Sequence, residues 1–359
     1  MLADSRKICY NHIMKTKRFI LTILLLLAVV AGSVGIALFT PVPIPYDPGG
    51  MIRVYTRNKP HVQLTIAVVT PAGTEVTAYG HDGAVISVPD RVYEIGGITK
   101  TFTGAIAAKA VMEGRVSPSE RISDFLPLLR SAYSPTLYEL VTHSSAYASY
   151  APNVSPRLSG RKNPYSGITA NDLVAQINAF KLTYKPPYLY AYSDFGAAAT
   201  GAVLSQIYDV DFYSILTIFA REELGLKHTL IALDDSGFKG WHWLSTDAYI
   251  ASSSLSSTIG DMIAYARLYL NGSLDYLSLA ADPTYEVNAD MQIGYFWNVL
   301  DHGRVLQQSG ETGYGAASIW IGKVDQIAVI ALSNYGNDRF GNVNDIAGAV
   351  FAAVKESEL

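Results

Sequence analysis

The chain has 359 residues, 49% of them hydrophobic and 16% charged, so it is long enough to bury a large core and too apolar for a disordered or coiled-coil protein. Residues 1–40 hold five cations and one acid. The remainder carries 22 cations against 30 acids, a net charge of −8 that excludes nucleic-acid binding driven by a basic surface. The single cysteine, Cys9, leaves the body without a disulfide, a thiol nucleophile or a cysteine metal site. The seven histidines (12, 61, 81, 143, 228, 242 and 302) show no ligand-pair spacing, so neither a metal nor any other cofactor is expected.

Residues 1–18 read as a cytoplasmic N-terminus. Residues 19–39 form a 21-residue run without charge, long enough to cross a bilayer as a helix. The cations lie before that run, which places everything after residue 40 on the extracytoplasmic side of a single-pass anchor. A cleaved signal peptide, leaving a secreted body, is the alternative. Residues 40–59, opening on Pro41-Val-Pro-Ile-Pro, read as a Pro-rich spacer.

Residues 63–70 and 74–80 read as a β-hairpin, and residues 317–322 and 327–332 as another. Between them, apolar spacing predicts helices over 98–114, 195–208 and 259–270, the last stopped by Asn271-Gly272. Strands at both ends around helices define an α+β fold in which N- and C-terminal segments share an antiparallel sheet. The expected domain spans residues 60–355, with an α/β part over about 60–120 and 290–355 and a mostly helical part over about 121–289.

The most informative stretch is Tyr93-Glu-Ile-Gly-Gly-Ile-Thr-Lys-Thr-Phe-Thr-Gly104. It resembles the F-x-x-G-S-x-T-K-x-F-T segment of the serine β-lactamase and penicillin-binding-protein superfamily, in its class C and D,D-peptidase/esterase branch. Collinear similarities follow at Glu113 to Pro127, Leu140 to Ser145, Ser254 to Met262 and Ala331 to Asn334. The resemblance implies the β-lactamase/transpeptidase-like α+β fold. It also implies a catalytic constellation of serine, lysine and tyrosine.

Here the nucleophile position holds Gly97. Lys100 and Tyr192 carry over as the base candidates, Tyr192 from a Tyr-Ser-Asp that matches the family's Tyr-x-Asn. Asp194 replaces the family's Asn. Gln308-Ser309-Gly310 stands where the family has Lys-Thr-Gly or His-x-Gly, so its cation is missing. Gln308, Ser309, Gly310, Glu311 and Asp194 are the candidate cleft or ligand-binding residues. The backbone N–H groups of Gly97 and Glu311 are candidates for an oxyanion hole.

A serine hydroxyl attacks only when a neighbouring base takes its proton, so a glycine removes the reacting atom itself. Thr99 lies about 200° around the helix from position 97 and is a poor replacement. Asp194 beside Lys100 would hold the amine protonated and weaken it as a base. The expectation is a membrane-anchored, catalytically impaired homologue that binds cell-wall-like peptides or acyl compounds, with no nucleic-acid partner. The alternative is an active serine-type hydrolase, either weak or with Gly97 a non-native change.

Overall fold

The computed structural model describes residues 47–358, apart from Leu128 and residues 155–160, 183–188, 235–236 and 339–340. The chain divides at residue 43. The first unit, residues 1–43, lies outside the described residues, and so do the expected transmembrane run and the proline-rich residues 41–46. Among the described residues no helix is long and apolar enough to cross a membrane.

The second half of the expected spacer is part of the domain. Asp47 accepts a hydrogen bond from Gly50 N–H at 2.7 Å and caps helix α1 (Pro48–Thr56), with Pro48 in the first turn where its missing N–H costs nothing. Helix α1 buries Met51, Ile52 and Tyr55. The Tyr55 hydroxyl donates to the Tyr335 carbonyl at 2.7 Å and lies 2.8 Å from Ser333 Oγ, so α1 is tied to the C-terminal strands. Apolar residues on one helical face, not an extended spacer, account for this stretch.

Strands β1 (Leu64–Thr70) and β2 (Gly73–Tyr79) form the first hairpin, and β3 (Val85–Ile86) pairs with β2. Strand β4 (Tyr93–Glu94) joins β5 (Leu230–Ile231) and β6 (Leu255–Ser257) in a small separate sheet in the order β4-β6-β5. The strands β7 (Tyr285–Asn288), β8 (Met291–Ile293), β9 (Asn298–Leu300), β10 (Val305–Glu311), β11 (Ala316–Gly322) and β12 (Ile327–Ser333) complete a nine-stranded antiparallel sheet among the described residues. Its order is β3-β2-β1-β12-β11-β10-β9-β8-β7. The N- and C-terminal segments therefore meet at β1 and β12, with Leu64 opposite Ser333 and Val68 opposite Val329.

Strand β12 is buried throughout because successive side chains enter different cores. Ile327, Val329 and Ala331 pack with α1 and the C-terminal helix, whereas Ala328, Ile330 and Leu332 pack into the larger core that holds the central helices. Those helices are α2 (Thr99–Met112), α3 (Ala170–Ala179), α4 (Asp194–Tyr208), α5 (Phe212–Ile218) and α6 (Ile259–Asn271); α7 (Val343–Glu358) is the C-terminal one. Helix α2 is buried on every side from Thr99 to Ala108, so it carries no solvent-facing polar stripe there, and its buried threonines are hydrogen-bonded, Thr101 to the Ile98 carbonyl and Thr103 to the Ala251 carbonyl, both from the side-chain hydroxyl. Helix α6 is capped by Thr258 and ends on Gly272 in the left-handed region (φ 58°).

The elements do not follow the expected boundaries between an α/β and a helical part. Helix α6 packs on β1, β11 and β12 although it lies within 121–289, and β7 begins at Tyr285. The two-residue strands β4 and β5 are too short to leave a period-two signature.

Candidate active site

The site forms where β4 ends. The chain makes a single turn at Gly96–Ile98 and enters α2 at Thr99, which sets Gly97 against the outer edge of β10. That approach is possible only without side chains. A Cβ on Gly96, where φ is 48°, would lie 2.8 Å from Glu311 N, and a Cβ on Gly310 would lie 2.4 Å from Gly97 N. A Cβ on Gly97 would stand 2.8 Å from both the Ser309 carbonyl oxygen and the Tyr192 hydroxyl, closer than carbon tolerates.

Strand β9 pairs only with Val305–Gln307, so the rest of β10 faces the turn and not another strand. Thr312 N–H bonds to Gly315 O at 2.9 Å, and ladder alternation then directs the N–H groups of Ser309 and Glu311 outward. Ser309 N–H is taken by Gln308 Oε1 at 2.9 Å. Glu311 N–H faces the Gly96 turn.

Lys100, one turn after Gly97, has no exposed surface. Its ammonium is in contact with Asp194 Oδ1, donates to the Ser252 carbonyl at 3.0 Å, and sits 4.7 Å from the centre of the Tyr192 ring. Burial pulls the Lys100 ammonium below its ordinary value, and the Asp194 carboxylate opposes that pull. The other carboxylate oxygen, Oδ2, accepts a 2.6 Å hydrogen bond from the Tyr165 hydroxyl. Tyr165 stacks on Tyr249 at 4.6 Å and is pushed to a higher pKa, first by burial and then by Asp194. Asp194 is thus clamped between a cation and a phenol at the start of α4.

Ser193 caps that helix, accepting from Gly196 N–H at 2.8 Å and donating to the Ala148 carbonyl at 2.7 Å. Tyr192 immediately precedes it. Burial, with Asp194 second, raises the Tyr192 phenol well above its ordinary pKa and keeps it protonated. Its ring lies 4.9 Å from that of His143, whose Nδ1 accepts Ser193 N–H at 3.2 Å. The proton of neutral His143 is therefore on Nε2, a buried atom without a hydrogen-bond partner among the described residues. Burial, with the Lys100 charge second, lowers the His143 pKa to about 3.

The structure thus brings Gly97, Lys100, Tyr192, Asp194, Ser309 and Gly310 together. Gln308 and Glu311 are placed differently from side chains that line a cleft. Gln308 is only 3% exposed, and its amide donates to the Phe296 carbonyl at 2.6 Å while accepting Ser309 N–H, so it braces the strand. The Glu311 carboxylate turns away to Asn337, accepting its backbone N–H at 3.0 Å and its side-chain amide at 3.1 Å. Thr99 is occupied as well, since its hydroxyl accepts Leu255 N–H at 3.0 Å.

Three neighbours of the site escape sequence reasoning. Tyr165 and His143 reach it from segments far along the chain. Glu94, buried two residues before Gly96, accepts from the Thr312 hydroxyl and from Trp241 N–H, so it ties β4 to the end of β10. Burial raises its carboxyl above the usual range. An acid directly ahead of the paired glycines was the available signal.

A nine-stranded antiparallel sheet shared by both chain ends, with a lysine in the first turn of a central helix and a tyrosine facing it, defines the fold class of serine β-lactamases and penicillin-binding proteins. The chain belongs to the beta-lactamase family, whose family model matches residues 47–353. A beta-lactamase of Providencia stuartii is 28% identical over 182 residues, covering 48% of this chain and 43% of that protein. A beta-lactamase of Pseudomonas fluorescens is 23% identical over 176 residues, 48% of this chain and 47% of that protein. Protein flp of Staphylococcus aureus (strain MW2) is 24% identical over 159 residues, 42% of this chain and 31% of that protein. The matched stretches thus span less than half the length of these curated relatives. Among solved structures, the octameric penicillin-binding protein homologue from Pyrococcus abyssi superposes with a TM-score of 0.69 at 19% identity, over 83% of this chain and 75% of that one.

Proposed function

We propose that this beta-lactamase family member binds acyl compounds or cell-wall-like peptides without forming an acyl-enzyme. The observation that carries this reading is the filled space at position 97. The residue has no hydroxyl, and the point where a Cβ would begin lies 2.8 Å from the Tyr192 hydroxyl and the Ser309 carbonyl. A backbone folded this closely around glycine also speaks against Gly97 being a casual replacement for serine. The nearby hydroxyls of Thr99 and Ser193 are committed to Leu255 N–H and to the cap of α4. The ion pair with Asp194 keeps the Lys100 amine from serving as a free base. What remains is a binding surface with two backbone donors, Gly97 N–H and Glu311 N–H, suited to a carbonyl oxygen.

The uncharged run over residues 19–39 and the cations before it support a single-pass anchor with this surface on the extracytoplasmic side. The test is intact mass spectrometry of the body after incubation with a fluorescent penicillin and with a fluorophosphonate, beside equilibrium binding of an acyl-D-alanyl-D-alanine peptide. Saturable peptide binding without a covalent adduct is expected. A stoichiometric adduct would establish the rival reading, an active serine-type hydrolase using a hydroxyl other than residue 97.

A further inference from the structure

A cavity of about 510 Å³ opens beside the C-terminal half of α4, and none of its lining residues belongs to the site around Gly97. Ser205 on its wall lies eleven residues along α4 from Asp194, about 16 Å at the rise of an α-helix. The volume is in the range of small-molecule sites. Its walls come from five segments: Leu126 and Pro127, the first turns of α3, the end of α4, the start of α5 and residues 245–248.

The lining has an apolar body and a negative character. Val174, Ala202 and Phe212 supply carbon surface from three different helices. Its acidic groups are two carboxylates, the buried Asp247 and the exposed Asp211; no lysine, arginine or histidine lines it among the described residues. A shallower depression shares Ser205, Gln206 and Asp211 with it and adds Asp209. Asp247 is buried, with one oxygen accepting Gly167 N–H at 2.8 Å and the other Leu244 N–H at 2.9 Å. Asp211 accepts from Ser214 N–H and from the Ser214 hydroxyl, both at 2.8 Å. Each carboxylate oxygen has a second lone pair, so both acids can still receive a donor from a ligand.

We infer that this cavity is a binding site for a small amphiphilic amine, its alkyl part against Val174, Ala202 and Phe212 and its ammonium group at Asp211 and Asp247. An anion would meet two carboxylates without a cation to offset them. A purely apolar ligand would leave those carboxylates facing carbon.

The probe is n-octylammonium, compared with octanoate and 1-octanol, in calorimetric titration and thermal denaturation of the full chain. Octylammonium should bind at one site and raise Tm with concentration, at least tenfold tighter than either of the other two. Asp211→Asn keeps the cap of α5 and should weaken the amine at least fivefold while leaving octanol unchanged. Ser205→Phe, which fills the cavity from α4, should abolish binding. Val174→Phe does the same from α3 and serves if the first variant does not fold. No binding, equal binding of octanol and octylammonium, or binding that survives a folded cavity-filling variant would each overturn the assignment. Because none of these measurements involves position 97, their failure leaves the reading of the active site untouched.

Discussion

The Tyr192 hydroxyl lies 2.8 Å from the point where a Cβ on Gly97 would stand. The two residues share one volume, so whatever is added at 97 must be taken from 192. Gly97→Ala should therefore destabilise the protein by about 1–3 kcal/mol, the usual cost of overfilling a packed site. Tyr192→Phe deletes the competing oxygen, and in the double variant part of that loss should return. Denaturant titration of the four proteins gives the coupling. Strict additivity would show that the two positions do not compete.

Gly97→Ser restores the family's hydroxyl but inherits the same crowding, a cost that a helix-start position alone does not disclose. Hydrolysis of a p-nitrophenyl ester should still rise at least tenfold, far short of the roughly 10⁶ that a complete nucleophilic unit confers. Lys100→Ala in that background should remove the gain. A folded, less stable Gly97→Ser protein that hydrolyses no faster than wild type would mean that the serine cannot reach the lysine.

The Lys100–Asp194 pair is buried, so breaking it strands a charge. Lys100→Met should cost about 3–5 kcal/mol, because Asp194 then loses its counter-charge and keeps only neutral phenols, Tyr165 and Tyr192, as side-chain partners. Adding Asp194→Asn, which can still accept from Tyr165, should recover at least about 1 kcal/mol. Calorimetric melting of the single and double variants checks this, and a double variant as unstable as Lys100→Met would argue against charge as the cause.

His143 imposes a pH dependence whose sign follows from its burial. Its folded pKa is about 3 and its ordinary value 6.5, so below pH 6.5 the unfolded chain takes a proton that the folded chain refuses. Stability should be full above pH 6.5 and fall by about 1.4 kcal/mol per pH unit as the pH drops towards 5, before carboxylates contribute. Urea titrations at pH 7, 6 and 5 test this. His143→Gln should flatten the slope over that interval, and an unchanged slope would move the effect to another group.

The proposed single-pass anchor would expose the whole body to the outside of the cell. Protease added to intact cells should digest residues after 40 and leave a small N-terminal fragment. Complete protection of the body in sealed, right-side-out cells would defeat that topology.

The hairpins and the helices α2, α4 and α6 were readable because each carries a local signal: strand alternation around a turn, a helical apolar period, or a glycine stop. The lysine and tyrosine of the site were readable through their motifs. Helix α1 was hidden by the prolines before it, although Asp47-Pro48 is itself a cap followed by a favoured first residue. Asp194 is a different case. Its change from the family's Asn suggested a partner for Lys100, but the phenol of Tyr165 that holds its other oxygen comes from a segment without a motif. Gln308 shows the limit most plainly: its place in a motif says nothing about Phe296, whose carbonyl consumes its amide.

The pairing of β1 with β12 also decides when this molecule can become whole. Leu64 finds Ser333 only after almost the entire domain has been synthesised, and until then β1 is the edge of a hairpin with its apolar residues uncovered. Non-local closure of this kind slows folding and lengthens exposure to aggregation. A chain cut before residue 327 loses the strand whose side chains enter both cores, and the C-terminal helix with it. The later-made strand of the domain is therefore what commits the earlier-made hairpin to its structure, and termination before it should yield a sticky fragment and not a smaller folded domain.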